Sequence, residues 1–472
     1  MEPSSANKGF IQEQPVLKNH FHDDASLQRI TKPQSFSPRS VLDQISLEAS
    51  QLGNEVLAQQ IFDWVTDAEH NQPYLRGNGR DAFGKPKTEL VVTEGWRKLQ
   101  DFGFQKGVVA LNYDSDYGPY NRLVQFIRCH LWEGSCATTL CPGAMQDGAA
   151  RLLQRHLSKE TGLSETERRV FQNAFDHLTS RDPAKAWTSG QWMTERTGGS
   201  DVSRTETVAT YDPYLASSPA PLANAAENIP LGPWSISGFK WFSSATDSQM
   251  TILLAKTDPN KGVSAFLAPM RRHSPSLASV TGEKGTGTEL NGITITRLKN
   301  KFGTKALPTA ELELNNMRGW LIGREGNGIA EISTILNITR VSATSPAPSP
   351  SPAPSPSSAP PAWAAPPHPL SHHPLHIHTL ATTTTHYHGL MLLTFYTTHL
   401  MGLDERLRST AISTPLTPEQ PLVAPLLRVL SSLHKSYVCE KAVPLCGRKD
   451  VAMDQAIVYG AGKVPVAADA KL

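Results

Sequence analysis

The sequence predicts a multidomain α+β protein with an N-terminal α-helical domain, a small central antiparallel β domain and a C-terminal α-helical bundle. Three observations predict this fold class. The chain has 472 residues, too many for one simple core. Apolar residues recur at three- and four-residue steps in the first third and again from Gly328, which is typical of helices. Between these stretches lie short β-rich runs separated by Gly, Pro, Asn or Asp.

The N-terminal third divides into an arm and a helical domain. Residues 1–40 are polar, and we expect an arm with little structure of its own. Residues 41–186 have helical periodicity, most clearly in Leu123–Cys141 and Met145–His156. We place Asp147 near the start of the second helix, where a carboxylate suits the helix dipole.

The central β domain is predicted over residues 187–316. Residues 211–233 carry several Pro and Ala residues and are interpreted as a long hairpin loop. The strands are predicted at Trp187–Met193, Thr205–Thr210, Trp234–Phe239, Met250–Ala255, Val263–Ala268, Ile293–Leu298 and Ala310–Leu314. Helix returns from Gly328, within a C-terminal domain formed by residues 317–341 and 375–445.

Overall composition favours no charged partner and no metal. The net charge is +2, so nothing global indicates nucleic acid. Five cysteines without framework spacing are typical of a reducing compartment. Cys136 and Cys141 do not form a C-x-x-C pair, so we predict no zinc site. No apolar run reaches transmembrane length and no signal peptide is evident, so we expect no membrane partner.

The stretch Met193–Asp201 is the strongest local candidate for a site. It places three hydroxyls, two carboxylates and a Gly-Gly turn within nine residues. Such a turn brings backbone N–H groups and hydroxyls close to a polar ligand or a phosphate. Taken alone, such a stretch is more often a plain turn between two elements, and Glu195 and Asp201 are equally interpreted as capping carboxylates.

Seven motifs in a fixed order extend this candidate. They are Asn71-Gln72-Pro73, Cys141–Arg151, Met193–Asp201, Gly238–Ser244, Arg297–Thr304, Gly326-Asn327-Gly328 and Leu336–Arg340. Together they resemble the acyl-CoA dehydrogenase superfamily over residues 8–340, and most closely its branch similar to the alkylation-response protein AidB. The resemblance implies an FAD flavoprotein that dehydrogenates an acyl-CoA thioester, assembled as a homo-oligomer, commonly a tetramer, in fatty acid metabolism.

The resemblance also implies cofactor contacts. Thr194 and the Ser200 turn would contact the flavin and its pyrophosphate side. Trp241 would lie against the flavin ring, and together with Ser243 or Ser244 it would form the contacts near the ring nitrogen N5. Without the neighbouring motifs, Trp241 would be interpreted as a core aromatic. The full set of predicted cofactor-binding residues is Met193, Thr194, Glu195, Gly198, Gly199, Ser200, Trp241, Phe242, Ser243 and Ser244.

The catalytic base that the resemblance requires is missing from its two family positions. One group of the family has a Glu directly before the helix arginine, but Thr339 precedes Arg340 here, so Arg340 keeps only a supporting role. The other group has a carboxylate in an aromatic-Glu-Gly-Thr motif, which this chain lacks; Asp404 and Glu405 come too early. We therefore expect that the activity of this chain is impaired.

The C-terminal half departs from the family pattern. Residues 342–374 form a Pro/Ser/Ala-rich low-complexity segment where a central helix of the bundle is expected, so the bundle is predicted to be incomplete. Met391–Tyr396 is interpreted as a core helix. Residues 446–472 form an atypical tail that ends in Ala470-Lys471-Leu472, a tripeptide of the peroxisomal import type. The sequence leaves a peroxisomal and a cytoplasmic location open.

A group of histidines surrounds this segment, namely His368, His372, His373, His376, His378, His386 and His388. They lack a nearby Cys or carboxylate to complete a metal site, so we interpret them as part of a low-complexity tract without structure.

Two alternatives to a dehydrogenase remain open. The first is a non-catalytic flavoprotein that binds nucleic acid in the alkylation response. Its basic residues would be Arg406, Arg408, Arg428, Lys435, Lys441, Arg448 and Lys449, which are scattered and are also explained as a solvated surface. The second is a chain that does not fold around FAD.

Overall fold

The computed structural model shows a mixed α+β protein, which confirms the predicted fold class. The residues that the structure describes are 17–31, 39–77, 79–80, 82–84, 87–115, 117–159, 161–199, 201–215, 221–224, 226–274, 287–342, 374–406 and 416–447. The chain forms two compact units. The first comprises Met1–Phe62, Tyr117–Ser135 and Thr344–Leu472; the second comprises Asp63–Asp116 and Cys136–Ala343.

The helices occupy both ends of the chain. A short 3₁₀ helix spans Gly118–Tyr120. The α-helices are α1 His20–Asp23, α2 Ala25–Ile30, α3 Arg39–Glu55, α4 Gln59–His70, α5 Glu94–Gln105, α6 Leu111–Asp114, α7 Asn121–Glu133, α8 Leu140–Leu157, α9 Glu165–Leu178, α10 Gly328–Ser342, α11 Pro374–Arg406 and α12 Gln420–Gly447.

The strands lie mainly between α9 and α10. They are β1 Tyr74–Arg76, β2 Glu89–Val91, β3 Ser189–Trp192, β4 Val208–Tyr211, β5 Leu222–Asn224, β6 Ile229–Pro230, β7 Trp234–Ser244, β8 Met250–Ala255, β9 Ser264–Pro269, β10 Arg271–His273, β11 Thr288–Leu290, β12 Ile293–Leu298 and β13 Thr309–Ile322.

A seven-stranded sheet forms the centre of the second unit. Its order is β3-β8-β9-β13-β7-β4, with β12 paired to β13, and three two-stranded ribbons, β1-β2, β5-β6 and β10-β11, accompany it. Every residue of β8 is buried, because both faces of this strand are covered by apolar side chains. On one face the core joins the sheet to α8, α9 and α10. Gly148 allows this contact, since a Cβ there would lie 2.5 Å from Ile335 Cγ2.

The first unit is held by buried polar pairs as well as by apolar packing. Arg122 on α7 donates from Nε to both carboxylate oxygens of Glu405 on α11, at 2.9 Å each. Asp24, at the N-terminus of α2, accepts hydrogen bonds from His130 Nε2 at 3.1 Å and from the Tyr387 hydroxyl at 2.5 Å. Because unpaired buried polar groups are costly, these pairs fix how α2, α7 and α11 pack.

Several sequence predictions are corrected in the helical region. Leu123–Cys141 is not one helix, because α7 ends at Glu133 and the chain turns through Ala137 and Thr138 with positive φ before α8. Asp147 lies eight residues into α8, which begins at Leu140, so it does not serve the helix start. Its Oδ1 instead accepts a hydrogen bond from the Tyr113 hydroxyl at 2.6 Å. Two short strands, β1 and β2, also lie in the region predicted to be helical.

Corrections are also needed in the β region. The sheet is not purely antiparallel, because β3 pairs with β8 in parallel. The predicted loop at 211–233 contains the β5-β6 ribbon, and the β10-β11 ribbon was not predicted. The last strand runs from Thr309 to Ile322, eight residues beyond its predicted end and past the proposed boundary at residue 316. By contrast, Met250–Ala255 and Ile293–Leu298 are confirmed to the residue.

The C-terminal region contains more helix than the sequence predicted. Residues 343–373, which hold most of the Pro-rich segment with His368, His372 and His373, and residues 448–472, with the import-type tripeptide, lie outside the described part. Beyond the segment, however, α11 is a helix of 33 residues in which Met391 and Phe395 are fully buried. The remaining histidines, His376, His378, His386 and His388, lie on this helix, so the interpretation of an unstructured tract is wrong for them.

Within the described ranges, no helix is long and apolar enough to cross a membrane. Among the same residues, no cluster of three or more His, Cys, Asp or Glu side chains is arranged to hold a metal ion.

Candidate functional site

The predicted turn follows β3 and is closed by its own backbone. Glu195 N–H donates to the Gly198 carbonyl at 3.1 Å, and Gly198 N–H donates to the Glu195 carbonyl at 3.2 Å. A Cβ on Gly198 would lie 2.2 Å from the Asp201 carbonyl oxygen, so this position requires glycine. The Asp201 carboxylate is occupied within the turn, where it accepts from Ser203 N–H at 2.9 Å. Ser200 lies outside the described residues.

A buried ion pair anchors the turn to the sheet. Lys240 on β7, which is fully buried, donates from Nζ to Glu195 Oε1 at 2.6 Å and to the Leu254 carbonyl of β8 at 2.7 Å. Glu195 also accepts from the Thr207 hydroxyl and from Glu206 N–H, at 2.6 Å each. Burial raises the pKa of Glu195, but the charge and hydrogen bond of Lys240 outweigh it, so this pKa lies below the ordinary value. Burial lowers the pKa of Lys240.

The turn presents unused hydrogen-bonding groups next to β7. Trp241 N–H donates to the Thr194 carbonyl at 3.0 Å, which holds the turn against this strand. No described residue bonds the Thr194 hydroxyl or accepts from the N–H groups of Thr197 and Gly199, and Thr197 and Gly199 are exposed. Met193, by contrast, is buried in the core of the sheet. Free donors at a Gly-rich turn are what an anionic or polar ligand edge requires.

A β-bulge decides the exposure of the two aromatic residues on β7. The register with β13 shifts between Ala310, which pairs with Ser243, and Leu312, which pairs with Lys240, so β7 contains one extra residue. Lys240 and Ser243 are buried on either side of the bulge, while Trp241 is half-buried and Phe242 is 42% exposed. Bulges of this kind re-aim side chains and are frequent beside functional sites.

Cations cover the Trp241 ring. Lys299 Nζ lies 3.1 Å from the ring centroid, and the guanidinium carbons of Arg196 and Arg297 lie at 5.2 and 5.9 Å. Glu311 offsets two of these charges, accepting from Lys299 at 2.5 Å and from Arg297 at 2.7 Å. The exposed aromatic surface available to a ligand is therefore that of Phe242, and Trp241 is engaged in cation–π contacts.

Ser244 lies at the end of a short hydroxyl chain. Lys301 Nζ donates to Thr309 Oγ1 at 2.9 Å, and Thr309 Oγ1 lies 3.1 Å from Ser244 Oγ. Either hydroxyl can be the donor in this contact, because Thr309 Oγ1 keeps a second lone pair beside the one that accepts from Lys301. Burial lowers the pKa of Lys301 to about 8, which leaves it charged at neutral pH. Ser243 Oγ is buried and has no partner among the described residues.

Three of these residues had no role in the sequence prediction. Lys240 and Lys301 lay within quoted motifs, and Thr309 lay outside the motifs. The signal available was only that Lys240 directly follows the predicted strand Trp234–Phe239 and that Lys301 follows Ile293–Leu298 by three residues, where a buried charge without a partner would be costly. The partners of these residues are distant in sequence or are determined by how the strands pair. Their side-chain contacts therefore could not be inferred from the sequence.

The structure gives no base from the candidates considered. Arg340 lies on α10, where its Nη1 is 3.4 Å from Asn337 Oδ1. Glu405 is bound by Arg122 in the first unit, so its carboxylate is occupied. The basic residues considered for nucleic acid are only partly described. Arg428, Lys435 and Lys441 lie on α12, Lys441 pairs with Glu440, and Arg408, Arg448 and Lys449 fall outside the described residues.

Two protein-family models match the chain. The N-terminal domain of the adaptive response protein AidB matches residues 13–177, and the acyl-CoA dehydrogenase middle domain matches residues 190–317. Together they cover well over half of the chain, and the second contains both the turn and the bulged strand. The chain therefore belongs to the acyl-CoA dehydrogenase superfamily and to its AidB-like branch, as the motifs indicated.

Individual relatives agree with this assignment. Acyl-CoA dehydrogenase family member 11 of Caenorhabditis elegans is 34% identical over 441 residues, 93% of this chain and 64% of that protein. Putative acyl-CoA dehydrogenase AidB of Escherichia coli K12 is 30% identical over 261 residues, 55% of this chain and 42% of that protein. The chain thus spans less than two thirds of the length of either relative. The crystal structure of C. elegans ACDH-11 in complex with C11-CoA is similar with a TM-score of 0.75 and 29% identity, covering 98% of this chain and 73% of that one.

Proposed function

We propose that this protein is an FAD-dependent acyl-CoA dehydrogenase-type flavoprotein. The observation that carries the proposal is the pairing of a Gly-rich turn that has free donors with a bulged strand that exposes the Phe242 ring and carries the half-buried Ser244 hydroxyl. Trp241 N–H and Lys240 hold these two features together. FAD, when bound, would accept the hydride that leaves the acyl chain.

The residues present suit such a cofactor. The Thr194 hydroxyl, the N–H groups of Thr197 and Gly199 and the adjacent Ser200 would bind its polar edge and pyrophosphate. Phe242, rather than Trp241, would lie against the ring, because its surface is free. Ser244 would donate a hydrogen bond to the ring edge. Met193, Glu195, Gly198, Trp241 and Ser243 would act by shaping this surface rather than by touching the ring.

The substrate that we propose is an acyl-CoA thioester. The support is membership of the family and the similarity to a relative whose crystal structure holds C11-CoA. The residue that would remove the α-proton is not assigned, so we expect slower turnover than in members that have a carboxylate at the family positions. A homo-oligomer, with a tetramer as the form implied by the family, is part of the proposal and is checked by light scattering. The location, peroxisomal or cytoplasmic, stays a prediction from the C-terminal tripeptide.

The experiment that tests the proposal is a flavin spectrum of the purified chain before and after anaerobic addition of acyl-CoA. We expect a bound flavin band that bleaches slowly with substrate. Phe242→Ala should weaken FAD binding roughly tenfold through lost ring contact. Phe83→Ala removes an 89% exposed aromatic of the same unit and should leave FAD binding unchanged.

Each outcome has a definite meaning. Purified protein that shows no flavin band, and takes up none when FAD is added, would contradict cofactor binding. A bound flavin that no acyl-CoA bleaches would support a flavoprotein and contradict dehydrogenation.

A further inference from the structure

The second unit contains an apolar cavity that the proposed flavin site does not use. It has a volume of about 720 Å³, within the range of small-molecule sites. We name it the hairpin cavity, because the β5-β6 ribbon forms one wall with Ala223 and Ile229. Val170 of α9, Leu267 of β9 and Trp320 of β13 form the others. None of the residues of the turn or the bulge lines it.

Polar contacts hold the ribbon to α9, and two of the residues that make them, Asn173 and Asn224, also line the cavity. Glu227, between β5 and β6, accepts from His177 Nε2 at 2.9 Å and from Asn173 Nδ2 at 3.1 Å, both on α9. Asn224 Nδ2 donates to the same carboxylate at 2.7 Å. The His177 ring stacks on Trp187, a lining residue, with centroids 4.3 Å apart. The cavity is therefore formed in advance and does not depend on a ligand to open it.

A cationic side chain lies at the mouth of the cavity. Arg271 and His273 on β10 both line it, and they point to the same side of the strand because they are two residues apart. The Arg271 guanidinium donates to the Thr288 hydroxyl at 2.8 Å and to the Thr288 carbonyl at 2.9 Å. No carboxylate of the described chain lies within 4 Å of it. Glu89 and Glu289 act on this guanidinium from beyond ion-pair distance, and Asp247, whose pKa is raised by burial, also lines the cavity. Because the guanidinium forms no ion pair within the described chain, it suits the carboxylate of a ligand.

We propose that the hairpin cavity binds an apolar carboxylic acid, with its chain against Ile229, Leu267 and Trp320 and its carboxylate on Arg271. The burial of the chain supplies most of the affinity, and the guanidinium selects an acid over a neutral molecule of the same length. The cavity shares no lining residue with the proposed flavin site, and the proposal does not rest on the proposed function.

The test is calorimetric titration of the full chain with dodecanoate and with 1-dodecanol, which share the chain and differ in the head group. Wild type should bind one dodecanoate with saturation. Arg271→Met should weaken dodecanoate about ten- to a hundredfold, the usual range for a charge-assisted hydrogen bond, and leave 1-dodecanol unchanged. Arg272→Met, on the same strand but paired with Glu289, is the matched control and should bind both ligands as wild type does.

A filled cavity gives an independent check. Ala223 is half-buried on the ribbon, so Ala223→Phe should fill the cavity and abolish dodecanoate binding, while thermal unfolding verifies that the variant folds. Unchanged dodecanoate binding in Ala223→Phe, equal loss in Arg271→Met and Arg272→Met, or no binding by wild type would each overturn the proposal.

Flavin bleaching by acyl-CoA is measured on the same samples. Ala223→Phe should keep whatever bleaching wild type shows. Absence of dodecanoate binding by the wild type together with normal bleaching removes the cavity proposal alone, and dodecanoate binding by the wild type without bleaching removes the proposed dehydrogenase function alone.

Discussion

Replacing Lys240 by methionine tests the ion pair that anchors the candidate site. Methionine has a similar length and leaves little cavity, so the change removes the charge and its hydrogen bonds. Lys240 is 0% exposed, and Glu195 is 4% exposed. The Lys240→Met variant therefore leaves a buried carboxylate without its cation and the Leu254 carbonyl without its side-chain donor.

The expected loss in the free energy of unfolding follows from the burial of the pair and from the hydrogen bonds that Glu195 keeps. Removing one partner of a buried ion pair costs about 3–5 kcal/mol. Glu195 keeps its hydrogen bonds from Thr207 and Glu206, so we expect the lower end, about 3 kcal/mol. For a unit of this size that corresponds to a fall in Tm of roughly 6–12 °C. FAD affinity should also fall, because Thr194 and the turn lose their anchor.

The assay is chemical and thermal unfolding of a double-mutant cycle. Lys240→Met combined with Glu195→Gln removes both charges and retains acceptors for Thr207 and Glu206, so it should be more stable than Lys240→Met alone. The coupling energy should be about 1–3 kcal/mol. Lys261→Met is the matched control, because Lys261 pairs with Glu325 at 3.2 Å with both side chains well exposed, at 49% and 37%. It should cost less than about 1 kcal/mol.

The reasoning fails if Lys240→Met is no less stable than Lys261→Met. It also fails if the double variant loses the sum of the two single losses, since additivity would mean that the two side chains do not interact.

Three further predictions concern pH, the turn and the first unit. Burial lowers the pKa of both His399 and His434 from 6.5 to about 4, so the unfolded chain binds protons first as pH falls. The free energy of unfolding should therefore drop between pH 6.5 and 4, by up to about 3 kcal/mol per histidine, and His399→Gln should flatten the pH profile. Gly198→Ala should weaken FAD binding and cost more than about 1 kcal/mol, because its Cβ meets a carbonyl oxygen at 2.2 Å; calorimetry and FAD titration measure both, and wild-type values would refute it. Tyr387→Phe should destabilise the protein by roughly 1.5–3 kcal/mol in urea, because Asp24 loses a buried hydrogen bond, and an unchanged midpoint would contradict that bond.

The local sequence pattern predicted a strand correctly where its tertiary surroundings agree with that pattern. Met250–Ala255 is a continuous apolar run buried on both faces, and its strand was predicted to the residue. Asn315 and Asn316, in contrast, look like a turn, and the last strand was predicted to stop before them. In the structure the strand continues through them, with Asn316 at φ 55° and a register shift between Leu314 and Met317. Pairing with β7 supplies the hydrogen bonds that local preference alone would not predict.

By itself the sequence determined the fold class, the family and the turn at Met193–Asp201, because these depend on periodicity and on motifs that are contiguous in the chain. Only the tertiary structure decided how the turn is held and which ring beside it is exposed. Lys240 reaches Glu195 across 45 residues, and one extra residue in β7 leaves Phe242 open while cations cover Trp241. Strand register and ion pairs between residues distant in sequence both arise from tertiary packing. Neither feature produces a periodic pattern in the amino-acid sequence.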